Sequence, residues 1–125
     1  MKQIDFSAAE HLAAISKILD LAKWAHHCVV TKRAMEDIVK LRLTKEAVLE
    51  AVREHLDAQK PTYALMQESG LEAYVLLPCS VDTHELYVKV QVPPCKRERD
   101  EVLVIISSHK PTYESKGKSD AKRKN

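Results

Sequence analysis

Residues 84–92 read HELYVKVQV, and the alternation within them decides the fold. Leu86, Val88, Val90 and Val92 alternate with Glu85, Tyr87, Lys89 and Gln91. A period of two marks a half-buried strand, with one row of side chains on a core and the other facing water. The watery row carries a phenol, an ammonium and an amide, groups that hold phosphates or move protons. On an arbitrary strand such a row is simply a solvated sheet face, so the surrounding sequence has to say more.

Working outward, three more strand-like segments follow Pro61, so that the set spans 62–67, 73–77, 85–92 and 102–107. Glu68-Ser69-Gly70 supplies the first turn and Pro93-Pro94 ends the third strand. Upstream the period changes to that of helices. Leu12, Ile15, Leu19 and Ala22 recur at helical spacing, after a capping-box pattern at Ser7-Ala-Ala-Glu10, and predict a helix over 8–23. Thr31 and Thr44 are the expected N-caps of two further helices, ending near 40 and 57. His26 to Val30 reads as a short extended segment. Helices followed by a run of neighbouring strands predict an α+β fold, with N-terminal helices packed on one face of an antiparallel sheet.

Composition fits one domain. The 125 residues are 45% hydrophobic and 30% charged, as in ordinary globular proteins. No apolar run approaches membrane-span length, and the N-terminus lacks the basic-then-apolar order of a signal peptide. The odd set Cys28, Cys79 and Cys95, without CxxC spacing, reads as reduced thiols in a cytoplasmic protein. Charge is uneven. The last eleven residues hold five of the 20 basic residues and one of the 18 acids, which leaves 15 against 17 and a body at −2. A generic nucleic-acid binder has a basic body, so any such contact here rests on a local patch. The expected organisation is a single domain over 1–111 and a polar, disordered basic tail over 112–125.

Most familiar chemistries lack their residues. His26-His27-Cys28 has no second ligand pair at zinc-like spacing, and adjacent residues of an extended segment point to opposite faces, so no metal is expected. Asp82-Thr83-His84 has no nucleophile elbow beside it. Two glycines make no phosphate-cradling loop. What remains is a surface of scattered side chains. Tyr87, Lys89 and Gln91 share a strand face, and His109 and Lys110 follow the last strand. If the last two strands pair antiparallel, His109 lies near the beginning of the 85–92 strand, at the end that carries Tyr87, and Lys60, at the entry to the 62–67 strand, is a further candidate. Phenol, imidazole and amines together suit RNA binding and acid–base cleavage without a cofactor.

The stretch Val30 to Val52, with Thr62-Tyr-Ala-Leu-Met66, Leu86-Tyr-Val-Lys-Val90 and Val102-Leu-Val-Ile-Ile-Ser107, resembles in order the motifs of the motility quorum-sensing regulator (MqsR) family of toxins, within the RelE-like group. The likeness covers about residues 8–110. It implies a small α+β protein that cuts mRNA, free or on the ribosome, and is held by a cognate antitoxin. Tyr87 falls on that family's strand tyrosine, with Lys89 in the same Tyr-x-Lys arrangement. Tyr63 and Met66 match a Tyr-Lys-Ser-Met piece in which Ala64 replaces the lysine, and Glu72 to Leu76 lacks the family's glutamine. Ser107-Ser108-His109-Lys110 stands in place of Ser-Phe-Lys, and Arg42 in place of a glycine. The resemblance implies catalytic roles for Tyr87, His109 and Lys89, while Lys110, Lys60 and Gln91 are the candidate phosphate contacts. The alternative is a non-catalytic protein- or RNA-binding module on the same scaffold. A DNA-binding helix is disfavoured, since no helix clusters Arg and Asn on one face.

Overall fold

The computed structural model describes residues 1–111, and the tail expected over 112–125 lies outside the described residues. In chain order the elements are β1 (Lys2–Gln3), α1 (Ala9–Ala22), β2 (Cys28–Val30), α2 (Lys32–Lys40), α3 (Lys45–Asp57), β3 (Thr62–Met66), β4 (Glu72–Val81), β5 (His84–Gln91) and β6 (Leu103–His109). Single 3₁₀ turns at Ala25–His27 and Glu98–Asp100 complete the set. The six strands form one sheet in the order β1-β3-β4-β5-β6-β2. Over the described residues this is an α+β fold with three helices and a mixed sheet.

The mixed character corrects the expectation of a purely antiparallel sheet. The chain from β3 to β6 is an antiparallel meander, and β1 joins β3 antiparallel, but β2 runs parallel to β6 at the far edge. The short extended segment before α2 therefore closes one edge, and two residues near the start of the chain close the other. Both strands are too short to show a period of their own.

Local chemistry explains where the helices begin and end. Thr31 accepts from the Ala34 amide at 3.2 Å, and Thr44 from the Ala47 amide at 3.0 Å. Each hydroxyl thereby satisfies an amide that the helix leaves unbonded. The capping box at Ser7 does not form. Its amide and hydroxyl both turn back to the Asp5 carboxylate, at 2.9 and 2.6 Å, and α1 starts at Ala9 without a side-chain cap. A nearby aspartate outcompetes the helix terminus for that serine.

Helices α2 and α3 end alike. After α2, the Leu43 amide bonds the Ile38 carbonyl and the Arg42 amide bonds that of Val39, both at 2.9 Å, with Arg42 at φ 58°. After α3, Lys60 bonds His55 and Gln59 bonds Leu56, both at 3.1 Å, with Gln59 at φ 53°. These are two Schellman closures in which a side-chain-bearing residue occupies the left-handed position that glycine prefers. A residue of α3, Arg53, donates through its guanidinium to the Ala22 carbonyl and so satisfies the end of α1.

The core lies between the helices and one sheet face. Leu86, Val88, Val90, Leu103 and Ile105 are fully buried, as the alternation requires. They meet Ile18, Ile38, Val48, Val52 and Leu56 from the helices. Full burial of such a side chain stabilises by about 1.5–3 kcal/mol, so this layer dominates the energetics.

Two details of the meander differ from the periodic reading. Strand β4 runs past Pro78 to Val81, because a bulge between Leu76 and Cys79 absorbs the proline; a two-residue turn at Asp82-Thr83, with Asp82 at φ 54°, then makes a hairpin with β5. Strand β6 reaches His109, and Ile106 is the extra residue opposite Lys89 and Val90. That bulge turns Ser108 inward, fully buried.

Candidate functional site

Among the described residues no helix covers the second sheet face, and the expected residues can be placed on it strand by strand. On β5 the half-buried row is Tyr87, Lys89 and Gln91. Antiparallel pairing sets Tyr87 opposite His109, Lys89 opposite Ser107 and Gln91 opposite Val104. Directly paired residues share a face, which is why the phenol and the imidazole meet. Their rings stack in parallel, with centroids 5.0 Å apart and planes 11° from one another.

Each partner has a defined protonation role. The Nδ1 of His109 lies 2.7 Å from the Lys110 carbonyl, which only accepts, so Nδ1 carries a hydrogen. In the neutral ring that leaves the lone pair on Nε2, the arrangement of a general base. Burial beneath the imidazole pushes the Tyr87 phenol up from its ordinary value of 10.0, so it stays protonated and able to donate at neutral pH. Lys89 lies two residues along from Tyr87 on the same face.

The other candidates are dispersed. Gln91 is four residues from Tyr87, about 13 Å along an extended strand, and its side-chain amide donates to the Glu72 carbonyl at 3.2 Å. That bond ties it to the start of β4. Lys60 precedes β3, and β4 stands between β3 and β5. Its charge acts on His55 and on Cys79, both of which belong to the helix side of the sheet. The structure therefore does not bring Lys60 or Gln91 to the Tyr87–His109 pair. Lys110 is adjacent to it.

Two neighbours were not foreseen. A cavity of about 170 Å³ is lined by Asp37, Lys40, Leu41, His109 and Lys110. It sets the last turn of α2 against the end of β6, so a second ammonium and a carboxylate border the imidazole. Helical spacing along α2 marks Lys40 and Asp37 only as polar positions, and their proximity to His109 follows from tertiary packing. Tyr63 is also on the open face, since it pairs with Val75, which pairs with Lys89. Ala64, where the resemblance has a lysine, pairs instead with Tyr74 and packs against the core.

Elsewhere the two buried thiols are held in place, while Cys95 is free and exposed. The Cys28 thiol is directed at the carbonyls of Leu21 and Trp24, at 3.3 and 3.5 Å. Burial pushes the Cys79 thiol up to about 12. Neither is a thiolate nucleophile at neutral pH. Among the described residues, no group of three or more His, Cys, Asp and Glu side chains is arranged to hold a metal ion, and no helix is long and apolar enough to cross a membrane. Set beside known proteins, the chain matches no family model, no curated protein and no solved structure.

Proposed function

We propose that this chain is a metal-independent endoribonuclease of the MqsR and RelE-like toxin type, acting on mRNA in the cytoplasm and restrained by a cognate antitoxin. The observation that carries the reading is the stacked Tyr87–His109 pair on an uncovered sheet face, with Lys89 beside it. In the chemistry this suggests, Nε2 of His109 removes the proton of a ribose 2′-hydroxyl. The oxygen forms a bond to the adjacent phosphorus, the bond from phosphorus to the 5′-oxygen breaks, and that oxygen takes a proton from the Tyr87 phenol. Lys89 offsets the charge that builds on the phosphoryl oxygens, and Lys110, at the end of β6, is a contact for a neighbouring phosphate.

The test is cleavage of a long mRNA by purified protein in chelator, with and without ribosomes. Loss of a general acid or base costs on the order of 10²–10⁴-fold, so Tyr87→Phe and His109→Gln should fall by at least about 10²-fold while remaining folded. Equal activity in the wild type and both variants would remove this site. One observation favours the alternative, a binding module that does not cut. The position where the resemblance has a lysine is Ala64, on the helix side of the sheet. RNA binding without cleavage under either condition would establish that reading instead.

A further inference from the structure

We propose that the cavity between the end of α2 and the end of β6 is a subsite for one ribose-phosphate unit of an RNA strand. In it Lys40 and Lys110 hold the phosphate, and Asp37 accepts from the ribose 2′-hydroxyl. The inference rests on the RNA reading above and extends it to Asp37 and Lys40, which neither the strand alternation nor the resemblance singles out.

Position comes first. The Thr31 hydroxyl caps α2 and also donates to the Ile106 carbonyl at 3.1 Å, which pins the start of the helix to β6. Ala34 and Ile38 are buried beneath it. The Schellman closure at Arg42 then fixes the last turn. Asp37 and Lys40, three residues apart, lie on one side of that turn and border the cavity with His109 and Lys110. The imidazole is thus a common wall: its ring stacks on Tyr87, and it also borders the cavity. A strand lying across the open face at Tyr87 meets the cavity at its next sugar-phosphate.

Size and charge narrow the ligand. About 170 Å³ is well below the roughly 300–1,000 Å³ of sites that enclose whole drug-sized ligands. The space suits a sugar-phosphate unit with its base left outside. Two ammoniums face one carboxylate and the end of a helix, whose dipole is worth about −0.5 charge, so the net is about +0.5. That balance matches a single phosphodiester and disfavours a free triphosphate. None of Asp37, Lys40 and Lys110 takes part in an ion pair among the described residues. A carboxylate beside a phosphodiester is repulsive unless a hydroxyl donor stands next to it. RNA supplies that donor and DNA does not. Leu41 gives the carbon face of the sugar an apolar surface.

The experiment is fluorescence anisotropy with a short labelled RNA and its all-deoxy counterpart, in the Tyr87→Phe background so that the RNA stays intact. Asp37→Ala should lower RNA affinity about tenfold, the value of a hydrogen bond to a charged group, and leave DNA affinity unchanged or raised. Lys40→Ala should weaken both and reduce the salt slope by about 0.7, one phosphate contact on a single strand. Equal loss for RNA and DNA in Asp37→Ala, or unchanged affinity in Lys40→Ala, would overturn the subsite. The two readings fail separately. A preference for RNA that depends on Asp37, in a protein that never cleaves, keeps the subsite and sinks the nuclease. Cleavage that depends on Tyr87 but not on Asp37 or Lys40 does the reverse, and absence of RNA binding by the wild-type chain removes both.

Discussion

The two rows of β5 differ by one residue in register and by almost everything in consequence. Leu86, Val88 and Val90 point into the helix layer and are fully buried. Tyr87, Lys89 and Gln91, on the same few residues of backbone, are half-buried on the uncovered face. The inward row is constrained by volume, because each side chain fills space that nothing else would fill. The outward row is free of that constraint, and its residues are set by what their polar ends meet. One strand thus separates the stability of this protein from its candidate chemistry.

The sharpest way to break that separation is to substitute across it. Leu86→Ala leaves a cavity in the core and should cost about 2–5 kcal/mol in urea unfolding. Lys89→Ala, three residues away, should stay within about 0.5 kcal/mol of wild type. Similar losses for the two would show that the open face is also part of the packed core, and the comparison would fail.

How much of this was legible in the sequence follows the range of the forces involved. The buried row of β5, the caps at Thr31 and Thr44 and the turn at Gly70 depend on residues within four positions, and they could be read directly. Tyr87 and His109 could be brought together because a single connection, 92–102, separates their strands. The parallel pairing of Cys28–Val30 with Leu103–Ile105 joins segments more than seventy residues apart, and no local pattern encodes it. Asp37 and Lys40 were invisible as neighbours of His109 for the same reason. Lys60 stands apart from the site because β4 lies between β3 and β5, and strand order is not a local property of the sequence. Ser7 failed locally, since Asp5 was a nearer partner than the helix it was expected to cap.

A smaller effect sharpens the inward side of the comparison. His55 of α3 is 2% exposed, with Nε2 2.8 Å from the Pro61 carbonyl and Nδ1 without a partner. Burial first, and the Lys60 charge as well, hold its folded-state pKa below the ordinary 6.5 despite the hydrogen bond to Pro61. The unfolded chain therefore binds the proton first as pH falls. The stability that His55 contributes is complete above about 6.5, declines as pH drops through that value, and levels off below the folded pKa. His55→Gln keeps a donor for Pro61 and removes the titration, so its unfolding midpoint should change less than that of the wild type between neutral and mildly acidic pH. An identical pH profile in both proteins would show that His55 is not buried as a neutral group.

The smallest expected effect lies at Arg42, where fold and local preference disagree. The Schellman closure of α2 requires the left-handed region, and Arg42 adopts φ 58° to complete it. A side chain there meets the following carbonyl oxygen, a strain of about 1–2 kcal/mol that glycine does not carry. Glycine also widens the unfolded ensemble, which offsets roughly 0.4–1 kcal/mol of the gain. Arg42→Gly should therefore raise stability by roughly 0–1.6 kcal/mol, measured by urea unfolding with the slope unchanged. The Arg42 side chain is exposed and borders neither Tyr87 nor the α2 cavity, so RNA affinity and any cleavage should hold constant. A fall in stability would mean that the guanidinium makes a contact worth more than the strain. A change in RNA affinity at constant stability would show instead that the end of α2 is tuned as a binding element, since Arg42 directly follows the turn that carries Asp37 and Lys40.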